Sequence, residues 1–330
     1  MKYKEKGKKS FQDIEIDHKV DVIIPVYHPD DKLKKLLDKL MKQTVKPSKI
    51  FLLQTIDEGD RKLQVGELLE TNIEIEVIAI AKEEFDHGGT RRYGASLSDA
   101  EIMLFMTQDA VPVDEFLIEK LLIPFKDSKT GASYARQLAN RDADLLEKMT
   151  RVFNYPNKNK VKSSKDIKDL GIKTFFCSNV CAAYRKETYN KLGGFVNRTI
   201  FNEDMIMGFA LIGSGHKIAY VADAMVIHSH NYSYGQQFRR NFDLGVSQRQ
   251  YIGLFNSVKS ESEGIKMIFT FTKFLIKRGK YLKILELIII SAIKFIGYKS
   301  GYHYYLLPKE LVPLLSMNKS YWQKGNLENE

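Results

Sequence analysis

Two hydrophobic rhythms alternate along the first hundred residues. Residues 20–26 (VDVIIPV) form a β-branched run that reads as a buried strand, and in 30–43 Leu33, Leu36, Leu37 and Leu40 recur at helical spacing. The alternation continues, with strands predicted at 50–53, 73–81 and 102–107 and helices at 62–70 and 90–98. Strand and helix in turn predict a mostly parallel sheet with helices on both faces, and ligands of such sheets sit at the carboxyl ends of the strands. From about residue 131 the rhythm turns irregular. Short strands are predicted at 131–137, 174–183, 217–221 and 225–228, a helix at 203–212, and helix from 234 almost to the end, with no internal repeat.

Composition fits this α/β reading. A chain of 330 residues with 44% hydrophobic content has ample core, and it divides into a basic tail (1–19), a catalytic domain (20–232) and a helical extension (233–330). Lys and Arg number 51 against 41 Asp and Glu, and the resulting +10 favours an anionic partner: nucleic acid, anionic lipid or a phosphorylated substrate. Cys177 and Cys181 have no second pair, so neither a disulfide framework nor a zinc knuckle is supported, and two small buried residues in a reducing cytoplasm are expected. The Lys-rich first nineteen residues lack the apolar stretch of a signal peptide. The most apolar segment, 284–296, is interrupted by Glu286 and Lys294 and falls short of the roughly twenty residues of a membrane span.

Five segments carry candidate chemistry. FMTQDAVP (105–112) ends a strand on Asp109, a carboxylate placed to coordinate Mg²⁺ or Mn²⁺, or to cap the following turn. EFDHGGTRRYGA (84–95) combines Gly88 and Gly89 with a helix start at Thr90 and Arg91 in its first turn, where cationic charge opposes the helix dipole unless an anion is bound. FNED (201–204) puts Glu203 and Asp204 at a helix start, as a dipole pair or as a base for a hydroxyl nucleophile. HSHNYSYGQQFRRNFDLG (228–245) offers His228 as a metal ligand, with one of its two histidines expected to reach the site, and Arg239 and Arg240 as a phosphate clamp. Residues 261–300 hold eight Lys and Arg against three Glu among Ile, Phe and Leu, a basic amphipathic pattern that suits a membrane surface or packing on the core.

In order, VIIPVYHPD, FDHGGTRRYGA, FMTQDAVP, FNED and VIHSH resemble a family 2 glycosyltransferase of the GT-A fold. FDHGGTR, TQDA, YARQ, FCSNVCAAYRK and HSHNYS are similar to bacterial rhamnosyltransferases that use dTDP-L-rhamnose in cell-wall or capsular polysaccharide assembly. The resemblance runs from about residue 20 to the end and implies an inverting transfer to a saccharide or polyprenyl-linked saccharide, at the inner face of the cell membrane. It implies that Asp204 is the catalytic base and that Asp109, with His228, holds Mn²⁺ or Mg²⁺. The family's DxD falls on Thr107, Gln108 and Asp109, so its first carboxylate is replaced. Pro25, Tyr27, Gln54, Asp86, Gly89, Arg91 and Gln108 are the expected donor contacts, and His230, Arg239 and Arg240 the expected diphosphate contacts. The segments 136–155 and 175–179 lie between donor and base motifs, which makes Arg136, Gln137, Ser178 and Asn179 expected acceptor contacts, and Glu203 beside the expected base is a further one. A UDP-hexose donor is the alternative within the family. A nucleotidyltransferase is disfavoured because YHPDD supplies no Gly-rich basic loop after the first strand, and a nucleic-acid binder because the clearest basic surplus lies in the tail.

Overall fold

The computed structural model describes residues 18–68, 71–257 and 262–323. The strands are β1 (Val20–Tyr27), β2 (Lys49–Ile56), β3 (Glu74–Ala81), β4 (Ile102–Met106), β5 (Val111–Pro112), β6 (Thr130–Leu138), β7 (Lys160–Lys162), β8 (Cys181–Arg185) and β9 (Lys217–Ile227). They form one sheet in the order β3-β2-β1-β4-β8-β6-β9-β5, with β7 paired to the amino-terminal part of β9. Strands β1 to β4, β6 and β9 share one direction, and β5, β7 and β8 run against it. The helices of eight residues or more are α1 (Asp31–Met41), α2 (His87–Leu97), α3 (Leu145–Asn154), α4 (Glu203–Gly213), α5 (Tyr234–Gln250), α6 (Ser262–Lys277) and α7 (Tyr281–Tyr302).

Alternation along β1 sends Val22 and Ile24 into one core and Ile23 into the other. The first core is sealed by α1, whose Leu33, Leu36, Leu37 and Leu40 are fully buried, each contributing about 1.5–3 kcal/mol. Asp30 caps α1 by accepting from Lys32 N–H at 2.9 Å. The second core is covered by α2 and α4 through Ala95, Ile206, Met207 and Leu211. Helix α2 presses close because Gly94 has no Cβ; one built there would lie 2.6 Å from Ile23. The helices that carry the FDHGGTR and FNED segments therefore share one face of the sheet.

Several expectations are corrected. The strand predicted at 174–183 exists only as Cys181–Arg185; before it, Phe175 stacks on Phe209 of α4 at 3.9 Å, and the chain runs as a loop tied to that helix. The two strands predicted at 217–221 and 225–228 are one strand, β9, with a register shift against β6 between Ala135 and Arg136. Helix α2 begins at His87 rather than Thr90, because Asp86 accepts from the N–H groups of Gly88 (2.9 Å) and Gly89 (2.7 Å). Of the helix predicted at 62–70, Val65–Leu68 is helical, and 69 and 70 lie outside the described residues. Most of the basic tail, residues 1–17, and the last residues, 324–330, also lie outside them.

Candidate active site

The carboxyl edges of β1 and β4 are joined by one side chain. Gln108 accepts from Tyr27 N–H at 2.7 Å and donates its amide to Tyr27 C=O at 2.9 Å, so it continues the sheet where the strands part. The residue at the middle position of the DxD pattern thus holds backbone, while Thr107 stands where the first carboxylate would be. Its neighbour, Asp109, lies beside two imidazoles.

His228 Nε2 is 3.5 Å from one Asp109 oxygen and His230 Nε2 is 3.4 Å from the other; the two nitrogens are 3.1 Å apart. Both histidines reach the site, against the expectation of one, because residues two apart leave an extended chain on the same side. Burial pushes His228 down to about 3 and lowers His230, in each case against the pull of Asp109. The tautomer of His228 follows from its other neighbour. Arg151, which only donates, bonds Gln137 Oε1, and that oxygen also lies 3.2 Å from His228 Nδ1. An amide oxygen only accepts, so Nδ1 carries the proton and the Nε2 lone pair faces Asp109 and His230. A lone pair, a carboxylate and a second neutral imidazole converging within 4.8 Å form a donor set that fits a divalent cation.

A hydrogen-bonded bridge leads from these ligands to Asp204. Gln137 donates to Ser178 Oγ at 3.0 Å, and the next residue, Asn179, donates its N–H to Asp204 Oδ2 at 3.2 Å. Asn202 turns the chain into α4 in the left-handed region (φ 66°), a conformation Asn tolerates, and its amide donates to Ser247 on α5 at 3.1 Å. Burial, reinforced by the neighbouring charge of Glu203, pushes the Asp204 carboxyl up to about 7, against the N–H groups of Asn179 and Met205. A carboxyl near neutrality is suited to taking a proton.

Glu203 is itself 6% exposed, and protein holds its Oε1: Asn179 Nδ2 donates to it at 3.1 Å, and Arg91 Nη1 lies 3.3 Å away. Arg91 sits a full turn inside α2 and folds back to the His87 carbonyl at 2.9 Å, leaving its buried Nε without a partner. Asp86 spends one oxygen on the α2 cap, while a Cβ on Gly89 would fall 2.3 Å from its other oxygen.

On the β2 side, Tyr27 OH donates to Asp57 at 2.9 Å, and Asp57 also pairs with Lys82 (2.7 Å) and His28 (3.3 Å), so hydrogen bonds from Lys82 and Tyr27 hold its carboxyl below the usual range. Pro25 lies two residues earlier on β1, paired in register with Leu53. Gln54 is turned away from this group: its amide donates to Arg61 C=O (3.1 Å) and accepts from Leu63 N–H (2.8 Å), which ties down its own loop. Arg136 reaches out to Asn157 at 2.8 Å. Arg240 stacks over Phe201 (4.7 Å) and Tyr232 (5.8 Å), and Tyr232 in turn stacks on His230; Arg239 is exposed on α5. Arg151, Asp57 and Lys82 were not singled out from sequence. The i,i+4 spacing of Glu147 and Arg151, which pair at 2.7 Å, is the signal that could have found Arg151; Asp57 and Lys82 carry no such signal.

The fold is similar to that of the mannosyltransferase PcManGT from Pyrobaculum calidifontis, solved with GDP-Man and Mn²⁺, at a TM-score of 0.54 and 13% identity, covering 94% of this chain and 87% of that one. Sheet and helices together are those of a GT-A glycosyltransferase. Residues 18–244 match the family described as "Glycosyltransferase like family 2", and the chain belongs to that family. It is 38% identical to the O-antigen chain rhamnosyltransferase RfbN of Salmonella typhimurium, over 92% of this chain and 96% of that protein. It is 37% identical to the O-antigen chain rhamnosyltransferase WbaN of Salmonella anatum, over 91% and 95%. The chain is a glycosyltransferase.

Proposed function

We propose that this enzyme transfers L-rhamnose from dTDP-L-rhamnose, with inversion, to a hydroxyl of a saccharide or lipid-linked saccharide in the synthesis of a bacterial surface polysaccharide. The observation that carries the reading is the bridge from the Asp109, His228 and His230 cluster through Gln137, Ser178 and Asn179 to Asp204. It ties a cation-binding donor set to a carboxylate near neutrality. The choice of rhamnose rests on the similarity to RfbN and WbaN.

In this reading Asp204 accepts the proton of the acceptor hydroxyl, whose oxygen bonds to the anomeric carbon as the bond to the diphosphate breaks and the nucleoside diphosphate leaves with the electron pair. Asp109, His228 and His230 hold a divalent cation, and two imidazoles with one carboxylate suit Mn²⁺ better than Mg²⁺. Such a cation supplies positive charge against the departing diphosphate. Tyr27, Asp57 and Lys82 flank the nucleoside, Arg240 faces the phosphates, and Glu203 and Asn179 hold the base rather than the acceptor. The buried free cysteines are compatible with a cytoplasmic site of action, at the inner membrane face where a lipid-linked acceptor would lie.

A donor screen tests the sugar. Calorimetric titration and turnover with dTDP-L-rhamnose, UDP-glucose and UDP-N-acetylglucosamine, each with and without Mn²⁺, are expected to favour dTDP-L-rhamnose by at least about tenfold. Preference for either UDP-sugar would overturn the assignment.

A further inference from the structure

Helices α6 and α7 expose an apolar face that their own packing cannot cover. On α6, Ile265, Phe269 and Ile276 are 71%, 62% and 52% exposed, and their spacings of four and seven residues place them in one stripe. Lys266, Lys273 and Lys277 each follow a position of that stripe by one residue or, for Lys273, by four, and so line one flank of it. On α7, Leu282, Leu285, Phe295 and Ile296 are 87%, 58%, 60% and 56% exposed.

The opposite faces are fixed. Phe271, Leu275 and Leu287 pack with Leu146 of α3, and Lys283 of α7 pairs with Asp144 at 2.7 Å. Helix α7 meets α5 backbone to backbone: a Cβ on Gly297 would lie 2.5 Å from Phe238 C=O, and one on Gly301 1.9 Å from Phe242 C=O. The apolar face therefore cannot rotate inward. No helix among the described residues is long and apolar enough to cross a membrane.

We propose that this face docks flat on an anionic lipid bilayer, with the α6 and α7 side chains in the headgroup zone and the flanking lysines on lipid phosphates. Charge selects lipid over a second copy of the chain. Residues 261–300 carry eight Lys and Arg against three Glu, a net of +5, and a two-fold interface would set that charge against itself, whereas an anionic leaflet complements it. Because α5, which carries Arg240, is clamped to α7, docking also fixes the site's height above the lipid. The inference does not depend on which sugar or base the enzyme uses.

The full-length protein is sedimented with vesicles of phosphatidylglycerol and phosphatidylcholine, or of phosphatidylcholine alone, at low and high salt. Wild type is expected to bind the anionic vesicles and to weaken with salt. Leu282→Glu with Phe295→Glu is expected to lose at least about tenfold in affinity with unchanged circular dichroism and melting temperature. Independently, each of Lys266→Gln, Lys273→Gln and Lys277→Gln should cost about fivefold, which keeps the test open if the double variant folds poorly. Absence of wild-type binding to anionic vesicles, or equal binding by both sets of folded variants, would overturn the proposal. So would a dimer in solution that the double variant dissociates while wild type ignores vesicles.

Discussion

The backbone N–H of Asn179 donates to the carboxylate of Asp204 at 3.2 Å, and this bond joins the two halves of the site. On one side lies α4 with its acidic pair. On the other, Ser178 receives the Gln137 amide, and Gln137 accepts from His228. The loop before β8 is therefore the mechanical link between the Asp109, His228 and His230 cluster and Asp204, and displacing it is expected to disturb both.

Burial raises the Asp204 carboxyl most, and the charge of Glu203 raises it further. In the proposed mechanism Asp204 acts ionised, so transfer is expected to fall as pH drops through about 7. In Glu203→Gln the repulsion that raises Asp204 is gone while Arg91 remains, so the acid limb of kcat moves to lower pH. A kcat profile from pH 5 to 9 checks this; an unmoved limb would mean that Glu203 does not tune the base.

The same charge costs stability. The folded pKa of Asp204, about 7, is above its ordinary 3.8, so its favourable contribution is complete below about pH 3.8 and lost as pH rises through 7. Asp204→Asn removes the ionised form. The full shift corresponds to about 4 kcal/mol, reduced by water access to a few kcal/mol at most. The variant's melting temperature relative to wild type is expected to be higher at pH 8 than at pH 5, and a pH-independent difference would refute the account.

Gln108 is expected to behave as a backbone clamp. Gln108→Ala loses two hydrogen bonds to Tyr27 and should cost about 1–2 kcal/mol in denaturant unfolding. Gln108→Asp places a second carboxylate next to Asp109 but cannot donate to Tyr27 C=O; it is expected to lower stability without tightening Mn²⁺ binding. Tenfold tighter Mn²⁺ binding by that variant would show that the position belongs to the cation site.

Legibility followed the kind of interaction each residue makes. Strands β1 to β4 and helix α1 were readable because their apolar periodicity is satisfied locally against one sheet. Helix α3 was missed, since its Leu145, Met149 and Phe153 pack partly on Phe271 and Leu275, more than a hundred residues away, and its charged face obscures the stripe. Asp109, Asp204 and His228 stood out as chemistry at strand or helix ends. Their partners were read otherwise or not at all: Gln137 was expected at the acceptor but bonds Arg151 across a strand and a helix, and the consumption of Gln54 by Arg61 and Leu63 is a fact of loop geometry. His230 was readable in principle, because a spacing of two shares a face.

His230 stands beside Asp109 and His228, all three ligand atoms lying within 4.8 Å of one another, and would serve as a third donor in the proposed cation site. His230→Ala and Asp109→Ala are each expected to weaken Mn²⁺-dependent binding of dTDP by about 10–100-fold, with little change in binding without metal. Isothermal titration with and without EDTA measures both. Unchanged Mn²⁺ dependence in Asp109→Ala would remove the cation from this cluster.

The most direct measurement separates donor binding from transfer in Asp204→Asn. With dTDP-L-rhamnose and Mn²⁺, the account predicts binding within about threefold of wild type and a loss of at least about a thousandfold in kcat for transfer to acceptor. Transfer at a rate close to wild type by the folded variant would contradict Asp204 as the base.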